Sequence, residues 1–344
     1  MIIKWLWRLI VFGLCLMAIA GSLAAVAGLA AYVWPSLDVF NHAQLLLLPL
    51  TLLGLLVGLA VLRRQPARGF MVSLAATGFL ASVAITAPEI TAALMAQSAA
   101  PTERPVMRLM SFNIFGNNRQ LSRVPEPVKA ANPDILLIQE YWHNFRPVLD
   151  GPLGEMFPYT IHCQGGRRAF IALFSRIPFE IAPGHACVDD IARGERVARI
   201  SVRMADPDGR TFTVMTTHLD WPYPPARQML EMAELTQAVG TVPGPFILAG
   251  DFNSTPFSLT LRGFSRQNGL ERQTVLLPTW PVDFVRSVPF DLPGFLPRDL
   301  PPFLPLDHVM TRGGIAVVNV ERAPSAGGSD HYPVIVDFYV ASED

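Results

Sequence analysis

The chain has 344 residues, 51% of them hydrophobic, with a formal net charge of −1 and a mean hydropathy of +0.33. It is too apolar for a simple water-soluble enzyme, and it lacks the basic excess of a chain built to track nucleic acid. The apolarity is uneven: residues 1–98 hold two acids, Asp38 and Glu89, and five basic residues, whereas the remainder holds 26 acids and 22 Lys/Arg, a net of −4. The sequence therefore divides into an apolar region (1–98), a linker (99–105) and one globular domain (106–344), large enough to bury a core without staples.

Three stretches of the first region, about 9–34, 43–62 and 69–87, approach or exceed the roughly 20 apolar residues that a bilayer span needs. The first is much longer than the core of a cleaved signal peptide and is followed by two more. Lys4 and Arg8 precede it, and Arg63, Arg64 and Arg68 separate the second from the third. The connection 35–42 carries no Lys or Arg. Positive residues stay in the cytoplasm, so three spans place the C-terminal domain outside it, in a periplasm or on the outer face. Cys163 and Cys187 flank an expected strand. An oxidising compartment permits a bridge between them, and two unrelated buried thiols remain the alternative.

In the globular domain, strands are expected over 106–114, 134–139, 169–175, 197–204, 210–217, 246–249, 307–311, 317–321 and 334–339. Helices are expected over 121–131 and 224–239. Strands dominate, with helices between them, which suits stacked sheets covered by helices. Residues 282–306 carry six prolines and four phenylalanines, which excludes a helix or central strand and leaves a long loop.

The apolar strands meet polar groups at their ends: Ser111-Phe112-Asn113, Gln139-Glu140, His218, Gly250-Asp251-Phe252-Asn253, Asp307-His308 and Ser329-Asp330-His331. Any one could be a turn or a cap. Together they supply oxygen ligands for a divalent cation and histidines for proton transfer. That inventory suits phosphate-ester hydrolysis, in which a cation offsets phosphate charge and acid–base groups move protons.

The motifs SFNI, PDILLIQE, TTHLD, GDFNSTP, LDHVM and SDHYPV, in that order over about 107–338, resemble the endonuclease/exonuclease/phosphatase family of metal-dependent phosphohydrolases. The resemblance implies an α+β fold, a four-layer α/β/β/α sandwich, here preceded by an N-terminal bundle of about three transmembrane helices. It implies Mg²⁺ or Mn²⁺ held by Glu140 and Asn113, with Asp330 near the metal. Asp251 would orient or deprotonate water and Asn253 would hold a phosphoryl oxygen. His331, hydrogen-bonded by Asp307, would stabilise the transition state or act as base, and His218 would serve the leaving group. A histidine at 218 resembles deoxyribonuclease-, sphingomyelinase- and inositol-phosphatase-like members, not abasic-site endonucleases. His308 should face away from the site, and His143, His162 and His185 read as surface residues. Trp221 and Tyr223 either floor the pocket or simply pack.

The expected function is a membrane-tethered phosphoesterase. The tether and the Phe/Pro loop favour a membrane-associated or lipid-linked phosphate-ester substrate. The alternatives are a DNA or RNA nuclease of the same family, and a catalytically silent phosphate-binding membrane module.

Overall fold

A computed structural model describes residues 2–95, 104–187, 197–283 and 301–341. These fall into two compact units. The first comprises residues up to Met95 together with Thr255–Arg262, and the second comprises the rest.

The first unit contains three long helices, α1 (Ile2–Ala30), α2 (Gln44–Leu56) and α3 (Arg68–Met95), with a 3-10 segment, Pro35–Ala43, between the first two. Three stretches, Ile2–Ala30, Pro35–Val61 and Arg68–Met95, are long and apolar enough to cross a membrane. The buried face of α1 is a seam of small residues, Ala18, Gly21, Ser22, Ala25 and Gly28. Small residues let apolar helices approach closely, where packing rather than water drives association. The third helix does not stop before Pro88 as expected; it runs through it to Met95.

The second unit is built on two six-stranded mixed sheets. Its elements are β1 (Met107–Asn113), α4 (Pro125–Ala131), β2 (Ile135–Gln139), α5 (Arg146–Gly154), β3 (Tyr159–Cys163), β4 (Ile171–Ser175), β5 (Glu180–Ile181) and β6 (Arg199–Ala205). Then come β7 (Thr211–His218), α6 (Pro225–Gly240), β8 (Phe246–Asp251), α7 (Leu259–Gln267), β9 (Glu271–Arg272), β10 (Asp307–Arg312), β11 (Ile315–Arg322) and β12 (Val334–Val340). The first four residues of α7 cluster with the first unit. One sheet runs β11-β12-β1-β2-β4-β3 and the other β5-β6-β7-β8-β10-β9.

Alternation along each strand builds the layers. In β1, Met107 and Leu109 enter the core between the sheets with Leu137, Leu173, Ile200, Val214, Ile247, Val309 and Val336. The intervening Met110 and Phe112 face outward and join Val128 of α4 and Leu149 and Leu153 of α5 in a second core. Helix α4 ends where Asn132 adopts the left-handed conformation, φ 51°. Helix α6 fills the crossover between the parallel strands β7 and β8 and buries Met232, Leu235 and Val239. The result is an α+β sandwich of two sheets flanked by helices. Cys163 and Cys187 are joined by a disulfide, which closes the alternative left by the sequence. Most of the Phe/Pro loop, 284–300, and most of the expected linker lie outside the described residues.

Candidate active site

The strand faces that build the inter-sheet core also carry the polar groups. Two residues beyond Leu109, Leu137, Val214 and Ala249 stand Ser111, Gln139, Thr216 and Asp251, each projecting to the same side as its predecessor. A polar layer therefore succeeds the apolar one toward one end of the sandwich. Gln139 Nε2 donates to Thr216 Oγ1 at 3.0 Å, joining the first sheet to the second. Asn113 and His218 follow on their strands. Asp307 precedes Val309 and shares its face.

Strand register aligns three of these groups. His218 pairs with Asp251 across β7 and β8, and Asp251 pairs with Asp307 across β8 and β10. Three neighbouring strands thus present His218, Asp251 and Asp307 in one row. The row depends on Gly250, at φ 155°, where an added Cβ would lie 2.0 Å from the Thr217 carbonyl oxygen. Only glycine admits that approach. Glu140, at φ 61°, and Asn253, at φ 47°, leave β2 and β8 in left-handed conformations. Such backbone is costly for residues with a side chain and persists only where its surroundings fix it.

The side chains then interlock. Asn113 Nδ2 donates to Glu140 Oε1 at 3.1 Å and to Asp251 Oδ2 at 2.9 Å. Its Oδ1 accepts from the Phe115 N–H, so its amide nitrogen, not its oxygen, faces the acids. Glu140 Oε2 accepts the Gly116 N–H. His218 Nε2 lies 3.6 Å from Asp251 Oδ2 and 4.0 Å from Glu140 Oε1. Asn253 Nδ2 donates to Leu219 O at 2.8 Å and lies 3.3 Å from His218 Nε2. His331 Nδ1 donates to Asp307 Oδ2 at 2.8 Å, and its Nε2 stands 3.8 Å from Asp251 Oδ2. Trp280 Nε1 donates to Asp330 Oδ2 at 3.2 Å.

These surroundings set the charges. Burial pulls the His331 imidazole down, but Asp307 and Asp251 more than reverse this and raise it to about 10, so it is an imidazolium. Burial lowers His218, and the carboxylates beside it do not offset the effect. Burial raises Asp251, and the charge of Asp307 adds to it. Burial also pushes Glu140 upward, but the His218 charge, the Gly116 N–H and Asn113 hold it below the usual range. Asp330 is raised to about 6 by burial, with Glu140 and Asp251 adding to it.

The site suits a hard divalent cation. Glu140, Asp251, Asp307 and Asp330 bring four carboxylates against two imidazoles. Among the described residues, the buried oxygens Asn253 Oδ1, Asp307 Oδ1 and Asp330 Oδ1 find no hydrogen-bond donor. Buried acceptors without partners are costly, and clustered ones mark a place for a ligand. Asp251, Asp307 and His331 offer atoms within 4.8 Å of one another. His331, however, is protonated and committed to Asp307, so carboxylate oxygens serve a cation better.

The structure brings all eight nominated residues, Asn113, Glu140, His218, Asp251, Asn253, Asp307, Asp330 and His331, to one end of the sandwich. Asn113 turns its amide nitrogen to two carboxylates, and its oxygen accepts the Phe115 N–H. His308 faces away, donating from Nε2 to Ser254 O at 2.7 Å with Nδ1 3.1 Å from Thr274 Oγ1. The surface reading holds for His143 but not for two other histidines. His162 is half-buried and stacks on Tyr141, and His185 is half-buried with Nδ1 accepting the Ser201 N–H. Trp221 packs edge-on against Trp280, and Tyr223 is largely exposed. Sequence reasoning missed Trp280 and the Gly116 N–H, and it named Ser329 without a role; the Ser329 hydroxyl donates to Asn113 O at 2.6 Å and accepts the His331 N–H. Only the closeness of Gly116 to the SFNI motif could have signalled that N–H.

Residues 110–331, more than half of the chain, match the model of the Endonuclease/Exonuclease/phosphatase family. Among solved structures, the chain resembles an endonuclease/exonuclease/phosphatase from Beutenbergia cavernae at 17% identity and a TM-score of 0.50, covering 70% of this chain and 72% of that one. It also resembles a functionally unknown conserved protein from Enterococcus faecalis at 14% identity and a TM-score of 0.50, covering 68% of this chain and all of that one. An endonuclease/exonuclease/phosphatase from Bacteroides vulgatus aligns at 19% identity and a TM-score of 0.49, over 69% of this chain and all of that one. Identities this low speak to the fold. No curated protein matches the chain.

Proposed function

The chain belongs to the endonuclease/exonuclease/phosphatase family, and on that premise we propose that it is a divalent-metal-dependent phosphoesterase held in a membrane, with its catalytic unit outside the cytoplasm. The observation that carries the reading is the row His218–Asp251–Asp307, with His331 bonded to Asp307 at 2.8 Å and Asn113 tying Asp251 to Glu140.

Glu140 and Asp330 would hold Mg²⁺ or Mn²⁺, which when bound supplies charge to offset a phosphate's negative oxygens. The chain's own groups do the rest. His331, kept protonated by Asp307 and Asp251, donates to a phosphoryl oxygen as charge builds there. Asp307 fixes the ring by accepting from Nδ1, which leaves Nε2 toward the mouth. Asp251 is made more basic by burial and by Asp307, and takes the proton of the attacking water. His218 faces the leaving oxygen, and an incoming phosphate's negative charge favours its protonation. Asn253 sets that ring through its amide. Asn113 holds Glu140 and Asp251 at a fixed separation.

Loop charge supports the membrane reading. Basic residues flank the spans at the N-terminus and between the second and third, and none lies in 35–42. Reporter fusions at residues 40, 66 and 344 should read outside, inside and outside.

The activity test uses the full chain in detergent micelles with a chromogenic phosphodiester. Hydrolysis should require Mg²⁺ or Mn²⁺, stop with chelator, and fall by about 10³-fold in Glu140→Gln, the scale of losing one electrostatic element of such a site. No metal-dependent hydrolysis of any ester would refute the proposal. Plasmid DNA, single-stranded DNA, sphingomyelin-type and phosphoinositide-type substrates then sort the class: DNA cleavage without lipid turnover assigns a nuclease.

A further inference from the structure

Past the ends of β7 and β8 the ladder between the two strands soon stops, just beyond residues on which the site depends. Leu219 N still donates to Asp251 O at 2.9 Å, one step past the pair His218–Asp251. Phe252 N then turns to Leu306 O, and Asn253 takes its left-handed backbone.

Helix α6 supplies what the ladder no longer gives. Its buried face runs Gln228, Glu231, Met232, Leu235, Ala238 and Val239, polar at the N-terminal end and apolar for the rest. Gln228 is only 4% exposed. Its Nε2 donates to Asp220 O at 2.7 Å, on the chain leaving β7. The same nitrogen donates to Phe252 O at 3.1 Å and Asn253 O at 3.3 Å, on the chain leaving β8. Its Oε1 accepts from Ser254 Oγ at 3.2 Å. Both polar atoms of one side chain are thus spent on the two exits. Glu231, one turn further along α6, accepts the Asp220 N–H on Oε2 at 2.7 Å.

A buried amide is costly unless its groups are bonded, and an apolar side chain would fill the same place without that cost. Packing alone would not select a glutamine here. The carbonyls it gathers belong to Asn253 itself, to the residue after Asp251 and to the second residue after His218. A left-handed asparagine persists only where its surroundings fix it, and Gln228 holds its carbonyl. Asn253 Nδ2 in turn donates to Leu219 O at 2.8 Å, so two side-chain amides cross-link the exits.

We propose that Gln228 is a positioning residue for catalysis: its amide fixes the spacing between the segment bearing His218 and the one bearing Asp251 and Asn253, so that the leaving-group side and the water side act on one phosphate. All of these contacts lie within the second unit. The kinetic half of this proposal rests on the phosphoesterase reading above; the structural half does not.

The test uses the full chain in detergent micelles and a series of aryl phosphodiesters whose leaving phenols differ in acidity. Gln228→Met keeps length and helix preference and removes the amide. It should lower kcat by about 10- to 100-fold, the scale of a slightly misplaced reacting group, with KM within about threefold. The loss should grow as the phenol becomes less acidic, because a displaced His218 fails most where the leaving oxygen most needs a proton. Ser254→Ala, which removes only the partner of Oε1, should show the same trend at about two- to fivefold, the scale of one hydrogen bond. Met232→Leu, a swap of similar volume on the same helix face, should leave kcat unchanged. Amide exchange at Leu219 should quicken about tenfold or more in Gln228→Met, while Val214 and Leu248 keep wild-type protection. Wild-type kcat in Gln228→Met, or in Ser254→Ala if Gln228→Met does not fold, would overturn the proposal. So would a loss of rate that is the same for every phenol together with lost protection throughout β7 and β8, which would mark a packing residue. If the wild-type chain hydrolyses nothing, the phosphoesterase reading fails, and exchange at Leu219 alone decides whether Gln228 fixes the spacing.

Discussion

Asp38 and Asp330 are both buried aspartates, one in each unit, and their surroundings differ in kind. Asp38 meets four donors: Asn41 Nδ2, Ser258 Oγ, Leu259 N and Thr260 N. Asp330 meets one, Trp280 Nε1, its Oδ1 finds no donor among the described residues, and Glu140 and Asp251 add like charge. A buried carboxylate whose lone pairs are met by donors holds structure together. One left short, among other acids, awaits a positive partner. The comparison teaches that burial alone does not tell a structural acid from a functional one. Satisfaction does.

The strongest way to break this contrast is to remove an acid from the unsatisfied group. Glu140→Gln keeps volume and an oxygen for the Gly116 N–H, but turns an NH₂ toward Asn113 Nδ2, donor against donor. Activity should fall about 10³-fold, a transition-state loss of about 4 kcal/mol. The metal-free melting temperature should hardly move, because one repulsive charge leaves with the carboxylate. A variant that unfolds would instead make Glu140 structural, like Asp38.

Gly250→Ala should come next in size. Its Cβ would meet the Thr217 carbonyl oxygen at 2.0 Å, so β7 and β8 must part exactly where His218 and Asp251 stand in register. A loss of about 3 kcal/mol or more in denaturant unfolding is expected, at the upper end of overpacking costs, together with most of the activity. This sharpens the comparison, because the site's geometry is broken while every acid is retained.

Much of this arrangement was legible in the sequence, for a local reason. A strand buried on one face alternates, so an Asp or His two residues past a core position faces the same way as the core. Leu109 to Asn113, Val214 to His218 and Ala249 to Asp251 all obey this, as does Asp307 before Val309. The three long apolar helices were legible from length and composition. What stayed hidden depends on partners distant in sequence. Trp280 reaches Asp330 across 50 residues, and Asp38 reaches Ser258 across 220. Nothing in Pro35–Ala43 by itself announces a cap for α7. The orientation of the Asn113 amide stayed hidden too, because a backbone N–H two residues away decides it, which no motif encodes. Helix α5 was missed because Gly151, Pro152 and Gly154 look like a turn, while Leu149 and Leu153 on its buried side secure it.

A gentler intervention is Asp330→Asn. It removes one like charge from the group while Trp280 Nε1 retains an oxygen to donate to. Metal-free protein should gain about 1 kcal/mol, the scale of one like-charge contact near a solvated mouth. The stabilisation that Mg²⁺ confers should shrink, since binding to the native state stabilises in proportion to affinity. Thermal melts with and without Mg²⁺ check both signs. A variant less stable without metal would mean that Asp330 is held by donors, as Asp38 is.

The smallest effect is expected at an acid that is satisfied and pairs with the start of β1, the end away from Asn113. Asp337 of β12 accepts from Arg108 Nε at 2.7 Å and Nη2 at 2.9 Å, across the pair Arg108–Asp337 in register. Arg108 also donates to Ala131 O, so the guanidinium keeps a partner if the carboxylate is lost. The pair is partly exposed, with 37% of the arginine side chain in solvent, and water screens what the fork gains. Asp337→Asn should cost no more than about 1 kcal/mol and leave kcat and the Mg²⁺ response at wild-type values, because neither partner faces the inter-sheet side. A change in the metal response there would mean that charge summed over the whole domain, and not unmet oxygens at the strand ends, draws the cation in.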